Sequence, residues 1–143
     1  GSEKRHLMKI AKNNIKFIGY QDEQVIKKLM EKCRAFVYAG IEDFGIAPVE
    51  AMAAGAPVIA YKKAGVLDTV RCITSDHKNP TGILYEEQSH KALSDCINYF
   101  EEKQIWKRFC SEDINLWSQN FSIERFHKEF NNFVNQSLIE FKD

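Results

Sequence analysis

The run Ile41-Glu42-Asp43-Phe44-Gly45-Ile46-Ala47-Pro48-Val49-Glu50, continuing into AMAAGAPVIA, holds the residue types in this chain that could do chemistry. Gly45 lets the backbone take a positive φ or approach a ligand closely, and Pro48 suits the first turn of a helix. The amides around Gly45 to Ala47 then have no helical acceptor. Free amides at a helix start, aided by the helix dipole, can hold a diphosphate without an obligatory Lys. Glu42 lies in the loop before that helix and Glu50 about one turn inside it. The two carboxylates could bracket a ligand whose phosphates rest between them, and carboxylates accept hydrogen bonds from paired sugar hydroxyls. The same residues also suit a plainly structural role. An acid before a helix caps it, an acid in its first turns complements the dipole, and Gly with Pro is ordinary loop punctuation.

These residues need a scaffold, and the flanking patterns supply one. Ala35 to Tyr38 (AFVY) and Pro57 to Tyr61 (PVIAY) are apolar runs that suit strands covered on both faces, with the short helix PVEAMAAG between them, closed by Gly55. Upstream, Asn14 to Tyr20 (NIKFIGY) reads as a strand, and Asp22 caps the amphipathic helix EQVIKKLMEKC. Downstream, AGVLDTVRCI leads from a loop into a short helix, and TGILY gives a last brief strand. From Ser89 onward the apolar spacing is helical throughout, and Trp106, Trp117, Phe121, Phe126, Phe130 and Phe133 read as core packing. Strands alternating with helices predict a doubly wound parallel α/β sheet with a helical C-terminal third. Ligands of such sheets bind beyond the carboxyl ends of the strands, so the loops after Tyr38, Tyr61 and Tyr85 form the expected site surface. The leading helix EKRHLMKIAKN has no strand before it, which marks the sheet as lacking its first strands.

Composition narrows the function. With 143 residues and 44% hydrophobic side chains, a core that needs no disulfide or metal staple is within reach. A balance of 20 Lys+Arg against 20 Asp+Glu removes the basic excess that nucleic acid or anionic membrane binding requires. No apolar run nears the ~20 residues of a membrane span, and the start carries no signal-peptide pattern. Cys33, Cys72, Cys96 and Cys110 show no CxxC and no His at ligand spacing, so they read as reduced, partly buried thiols in a cytoplasmic protein, and no metal is expected. His6, His77, His90 and His127 read as solvated. Gly1 and Ser2 look like a cloning scar, leaving residues 3–143 as a single unit.

The run EDFGIAPVEAMAAGAPVIA resembles the signature of GT-B retaining glycosyltransferases of family 4: a Glu, seven residues and a second Glu, with Phe-Gly between, then Glu-Ala-Met-Ala-x-Gly-x-Pro-Val-Ile. The likeness extends upstream through NIKFIGYQDEQVIKKLMEKCRAFVYAG, downstream through KKAGVLDTV and PTGILYEEQS, and to the tail FSIERFHKEFNNFV. TGILYEEQS and the Lys-containing loop look most like bacterial mannosyltransferases that build O-antigen or other surface polysaccharides from GDP-mannose. The resemblance implies that Glu42 contacts hydroxyls of the donor sugar as the catalytic-site carboxylate. It implies that amides near Phe44, Gly45 and Ile46 hold sugar and diphosphate, and that Glu50 accepts from the ribose. Lys62 and Gly65 join as donor-side residues of the next loop, although Lys62 also suits a plain exposed basic loop.

The chain departs from the family pattern at Ala64-Gly65 and Asp68-Thr69-Val70, where Gly-Gly and Glu-Thr-Val are common. The resemblance also begins after the strand and loop that usually bring a Gly-Arg and a Lys to the diphosphate, and after the acceptor-binding lobe. Half a cleft cannot close on donor and acceptor, so the 143-residue chain alone is expected to be inactive. The expected function is the donor-binding part of a retaining hexosyltransferase, at the cytoplasmic side of glycan assembly with at most peripheral membrane contact. Its partners would be a nucleotide sugar and, through the missing lobe, a glycan or lipid-linked acceptor. Two alternatives stand beside it: a UDP-sugar-dependent glucosyl- or galactosyltransferase, and a non-catalytic Rossmann-like binding module.

Overall fold

The computed structural model describes residues 2–141; Gly1 of the expected scar, and Lys142 and Asp143 at the other end, lie outside them. Three short strands, β1 (Phe36–Tyr38), β2 (Val58–Tyr61) and β3 (Gly82–Tyr85), form one parallel sheet in the order β1-β2-β3. Among the described residues seven α-helices surround or extend it: α1 (Lys4–Ile10), α2 (Glu23–Lys32), α3 (Ile46–Ala53), α4 (Val66–Thr69), α5 (His90–Glu102), α6 (Ser111–Ser118) and α7 (Ile123–Glu140).

The period-two alternation of the strands divides the core between the two faces of the sheet. Val58 and Ala60 of β2 turn to a cluster with Ala51 and Met52 of α3, Val66 of α4 and Ile114 of α6. Ile59 turns the other way, with Ile83 and Tyr85 of β3 and with Phe100 of α5 and Ile105. Both faces are covered, which is why AFVY and PVIAY are apolar without a polar alternate. The doubly wound prediction therefore holds. Asp22 caps α2 by accepting from the Val25 amide at 2.9 Å, as its position implied. Ser89 caps α5 in the same way through Ala92, at 3.1 Å. Gly55, at φ 83°, ends α3 in the left-handed conformation that glycine adopts without strain.

Two expectations fail. Asn14 to Tyr20 is not a strand: the segment runs alongside no other strand among the described residues, and Ile15, Phe17 and Ile18 are exposed. A strand exists only through hydrogen bonds to a neighbour, so β-rich composition without a partner leaves extended coil. Phe126, Phe130 and Phe133 were expected in the core but lie 63%, 53% and 66% exposed on α7, a helix with no buried residue. Their spacing is that of an amphipathic helix, yet no described element covers that face. Trp106, Trp117 and Phe121 do pack. Trp117 joins the α3 side of the core, and its Nε1 donates to the Thr69 carbonyl at 2.7 Å.

The cysteines are all free thiols: Cys72 is buried, Cys33 and Cys96 half-buried, and Cys110 exposed rather than partly buried as expected. The four histidines are exposed.

Gly82 passes so close to the Val58 carbonyl that a Cβ there would collide with it and lie 2.8 Å from Val70 Cγ1. Gly82→Ala should therefore destabilise the fold by about 3 kcal/mol, read as a lowered midpoint of urea unfolding at unchanged slope. Burial pushes the Cys96 thiol up from 9.0 to about 11, with the neighbouring Cys72 adding to the rise. Between those values the folded chain keeps a proton that the unfolded chain has released. Stability should thus be intact below pH 9.0 and fall as pH rises toward 11, a trend that Cys96→Ala should flatten in pH-dependent unfolding.

Candidate functional site

The carboxyl ends of all three strands open onto one edge, and the loops leaving them are pinned to one another there. Ala39, at the end of β1, accepts at 3.1 Å from Gln88 Nε2, which follows β3. Lys62, at the end of β2, donates its amide to the Tyr85 carbonyl at 2.9 Å. Gly65 donates its amide to the Glu42 carbonyl at 3.0 Å, tying the loop after β2 to the loop after β1. Its α-carbon lies against the backbone of the same loop. A Cβ on Gly65 would strike the Phe44 carbonyl group and come within 2.6 Å of the Asp43 oxygen. Thr69, fully buried, closes the turn by donating Oγ1 to the Gly65 carbonyl at 3.0 Å.

Upstream of that contact Gly45 takes φ 79°, the left-handed conformation its type allows, and introduces α3. The Val49 amide donates to the Gly45 carbonyl at 3.3 Å, and no side chain caps the helix. Pro48 has no N–H, and the amides of Ile46 and Ala47, in the first turn, have no helical acceptor. Phe44 (49% exposed) and Ile46 (63% exposed) flank them, and the Phe44 ring meets the edge of Phe121 at 6.0 Å. The Glu42 side chain is exposed on the same rim. Tyr38, the last residue of β1, titrates above its ordinary value, first because the Glu42 carboxylate nearby favours the protonated phenol and then through burial and that carboxylate's charge.

Glu42, Phe44, Gly45, Ile46 and Gly65 thus lie along one rim. Lys62 sits on the same edge but is engaged: its Nζ is 2.6 Å from Glu86, which holds the ammonium protonated above its ordinary value. Both partners are exposed, so the pair is weak and open to exchange for another anion. Glu50 lines a cleft of 260 Å³ between α2 and α3 with Glu23, Ile26, Lys27, Met30, Ala53 and Ala54. The α2 residues were not foreseen as site residues. EQVIKKLMEKC shows its amphipathic period in sequence, but which part of it faces α3 follows from packing alone.

Ala64 carries φ 57°, a left-handed conformation that costs a residue with a Cβ about 1–2 kcal/mol. Ala64→Gly should therefore gain about 0.5–1 kcal/mol after the extra flexibility of the unfolded chain is deducted. Gly65→Ala should lose at least about 2 kcal/mol, because the collision is with backbone that cannot rotate away. Urea unfolding of the pair, one position apart and opposite in sign, checks both.

Residues 3–115 match the family described as "Glycosyl transferases group 1". An uncharacterized glycosyltransferase of Methanocaldococcus jannaschii is 26% identical over 122 residues, covering 75% of this chain and 31% of its own length. An alpha-1,3/1,6-mannosyltransferase of Dictyostelium discoideum is 34% identical over 88 residues, 60% of this chain and 21% of its own. Among solved structures, sucrose-phosphate synthase from Thermosynechococcus elongatus superposes with a TM-score of 0.76 at 24% identity, covering 98% of this chain and 35% of that one. HepE of Anabaena in complex with UDP-glucose superposes with a TM-score of 0.70 at 22% identity, over 94% and 36%. The chain therefore spans about a third or less of the curated relatives' length, and its fold is that of the C-terminal half of GT-B structures. With the matched residues covering the whole strand-edge site from Glu42 to Gly65, this chain belongs to the glycosyl transferases group 1 family.

Proposed function

We propose that this chain is the donor-binding lobe, a single unit over residues 3–143, of a retaining glycosyltransferase that takes a hexose from a nucleotide sugar. The observation that carries the reading is the uncapped start of α3 behind Gly45, with free amides at Ile46 and Ala47, beside a loop rim that holds Glu42. A diphosphate seated there would be neutralised by backbone amides and the helix dipole, and Lys62 could exchange Glu86 for a phosphate oxygen. Glu50 would accept from the ribose hydroxyls at the mouth of the α2–α3 cleft, and Glu42 from hydroxyls of the sugar. In the transfer step the bond from the anomeric carbon to the diphosphate breaks. The departing diphosphate oxygen takes the acceptor's proton while the amides stabilise its charge, and the acceptor oxygen bonds the sugar on the same face. The acceptor and the further basic groups on the diphosphate would come from chain outside these residues.

For the donor itself, GDP-mannose is the favoured member of the class, supported by the TGILYEEQS likeness and by the mannosyltransferase relative at 34% identity. A UDP-hexose is the second reading, favoured by the UDP-glucose held in the structurally similar HepE. We place the work at the cytoplasmic side of glycan assembly; among the described residues no helix is long and apolar enough to cross a membrane.

Ligand-observed NMR titration of the chain with GDP, UDP and ADP, and with their sugars, tests the reading. Weak binding of one nucleotide above the others is expected, and Glu50→Ala should weaken it about tenfold or more by removing the ribose acceptor. If no nucleotide binds, or Glu50→Ala binds as well as the parent chain, the site is misassigned.

A further inference from the structure

The described residues hold four ion pairs, and the Lys62–Glu86 pair alone joins two loops of the site edge. Lys91–Asp95 and Arg125–Glu129 each span one turn of a single helix, and Arg34–Glu101 lies before the amino end of β1. Sheet register builds the pair at the edge. Tyr61 lies opposite Tyr85 in the parallel ladder, so the residues that follow, Lys62 and Glu86, leave the sheet side by side. The Lys62 amide prolongs the ladder by donating to the Tyr85 carbonyl at 2.9 Å, and the Lys63 amide closes a tight turn onto the Tyr61 carbonyl at 2.8 Å. The preceding rings, Tyr61 and Tyr85, meet at 5.8 Å, and Tyr85 is buried. Beyond β3 the Ser89 amide donates to the Glu87 carbonyl at 2.7 Å, and Gln88 is tied to Ala39. Both backbones are thus held. The Lys62 ammonium meets the Glu86 carboxylate at 2.6 Å within reach of solvent, the two side chains being 45% and 77% exposed.

We infer that Glu86 is a positioning residue that acts through Lys62 and competes for it: the carboxylate parks the ammonium at the rim while the site is empty and yields it to the diphosphate of a nucleotide. The assignment rests on the reading of this edge as the donor's diphosphate site. Lys62 has three donors, but a carboxylate and a phosphate gathered on one ammonium repel each other, so each weakens the other's hold. An exposed ion pair is favoured over its open form by roughly two to one. That leaves about a third of the molecules with Lys62 free and weakens a ligand that needs it about threefold. Glu86 thereby keeps the resting site from holding diphosphates tightly. Glutamine at position 86 would keep the length of the side chain and remove its charge, and the exposure of the position leaves the core untouched.

Affinities of the 143-residue chain for GDP, UDP and ADP, and for their nucleosides, decide it when measured at an ionic strength of about 10 mM, where exposed charges are weakly screened. Glu86→Gln should bind the preferred nucleoside diphosphate about threefold more tightly than the parent chain and leave its nucleoside unchanged. Lys62→Ala should weaken the diphosphate, and adding Glu86→Gln to it should give no gain, because the competitor then has nothing to hold. No gain in Glu86→Gln, with the parent chain binding, overturns the inference and leaves the donor-site reading standing. A gain that persists alongside Lys62→Ala also overturns it, since Glu86 would then repel the ligand directly. An equal gain for the nucleoside does the same, as the mark of a general structural effect. If no nucleoside diphosphate binds either the parent chain or Glu86→Gln, the donor-site reading fails and this role fails with it.

Discussion

The contact on which this edge of the molecule depends is backbone against backbone. Gly65, in the loop after β2, donates to the Glu42 carbonyl and sits against the Asp43–Phe44 peptide with no space for a side chain. Because the sheet is parallel and β1 and β2 are neighbours, their carboxyl ends emerge side by side, and the loops must either collide or interlock. A residue without a Cβ lets them interlock. That single approach sets how Glu42, Phe44 and Gly45 are presented, and therefore where the first free amides of α3 point. Thr69 reinforces it from below by holding the Gly65 carbonyl, and Trp117 holds Thr69 in turn.

The same interlock explains the composition of α3. This helix lies wedged among β1, β2, α4 and α6, and its buried Ala51 and Met52 have no exposed surface at all. Small side chains let it approach the sheet closely enough for its N-terminus to reach the strand-edge rim. A larger residue at Ala51 would have no void to enter, since packed cores contain few. Ala64 shows the opposite economy: it holds a left-handed conformation that glycine would adopt freely, and the surrounding bonds, including Gly65 to Glu42, enforce it. Strain of this kind persists only where neighbours over-determine the backbone, which is the condition at this rim.

Much of the architecture was legible because its signals are local. Val58-Ile59-Ala60 is apolar on successive residues, which a strand tolerates only when both faces are covered, and both are. Asp22 caps the helix that its position announces, and Ser89 caps the first helix of the segment whose helical spacing begins there. The segment Asn14–Tyr20 misled for a physical reason: its composition is that of a strand, but a strand is a relation between two segments, and none of the described residues pairs with it. The aromatic face of α7 misled in a related way. Phe126, Phe130 and Phe133 have the period of a buried face, and period reports amphipathicity rather than what covers it.

By itself the sequence determined the three strands that pair, their parallel sense and the presence of a carboxylate, a glycine able to take a positive φ and a helix start within a few residues. Each follows from the conformational preference of one residue or the period of a short run. Only the tertiary structure decided which groups face one another. Glu42 and Glu50, eight positions apart in the chain, meet different neighbours: the Glu42 carbonyl takes the Gly65 amide at the strand-edge rim, and Glu50 lines the α2–α3 cleft. Lys62 is held by Glu86, and Gly65 by the peptide of Asp43 and Phe44. These pairings join residues whose proximity is set by the lateral packing of strands and the length of loops, neither of which is written in any local pattern of residue types.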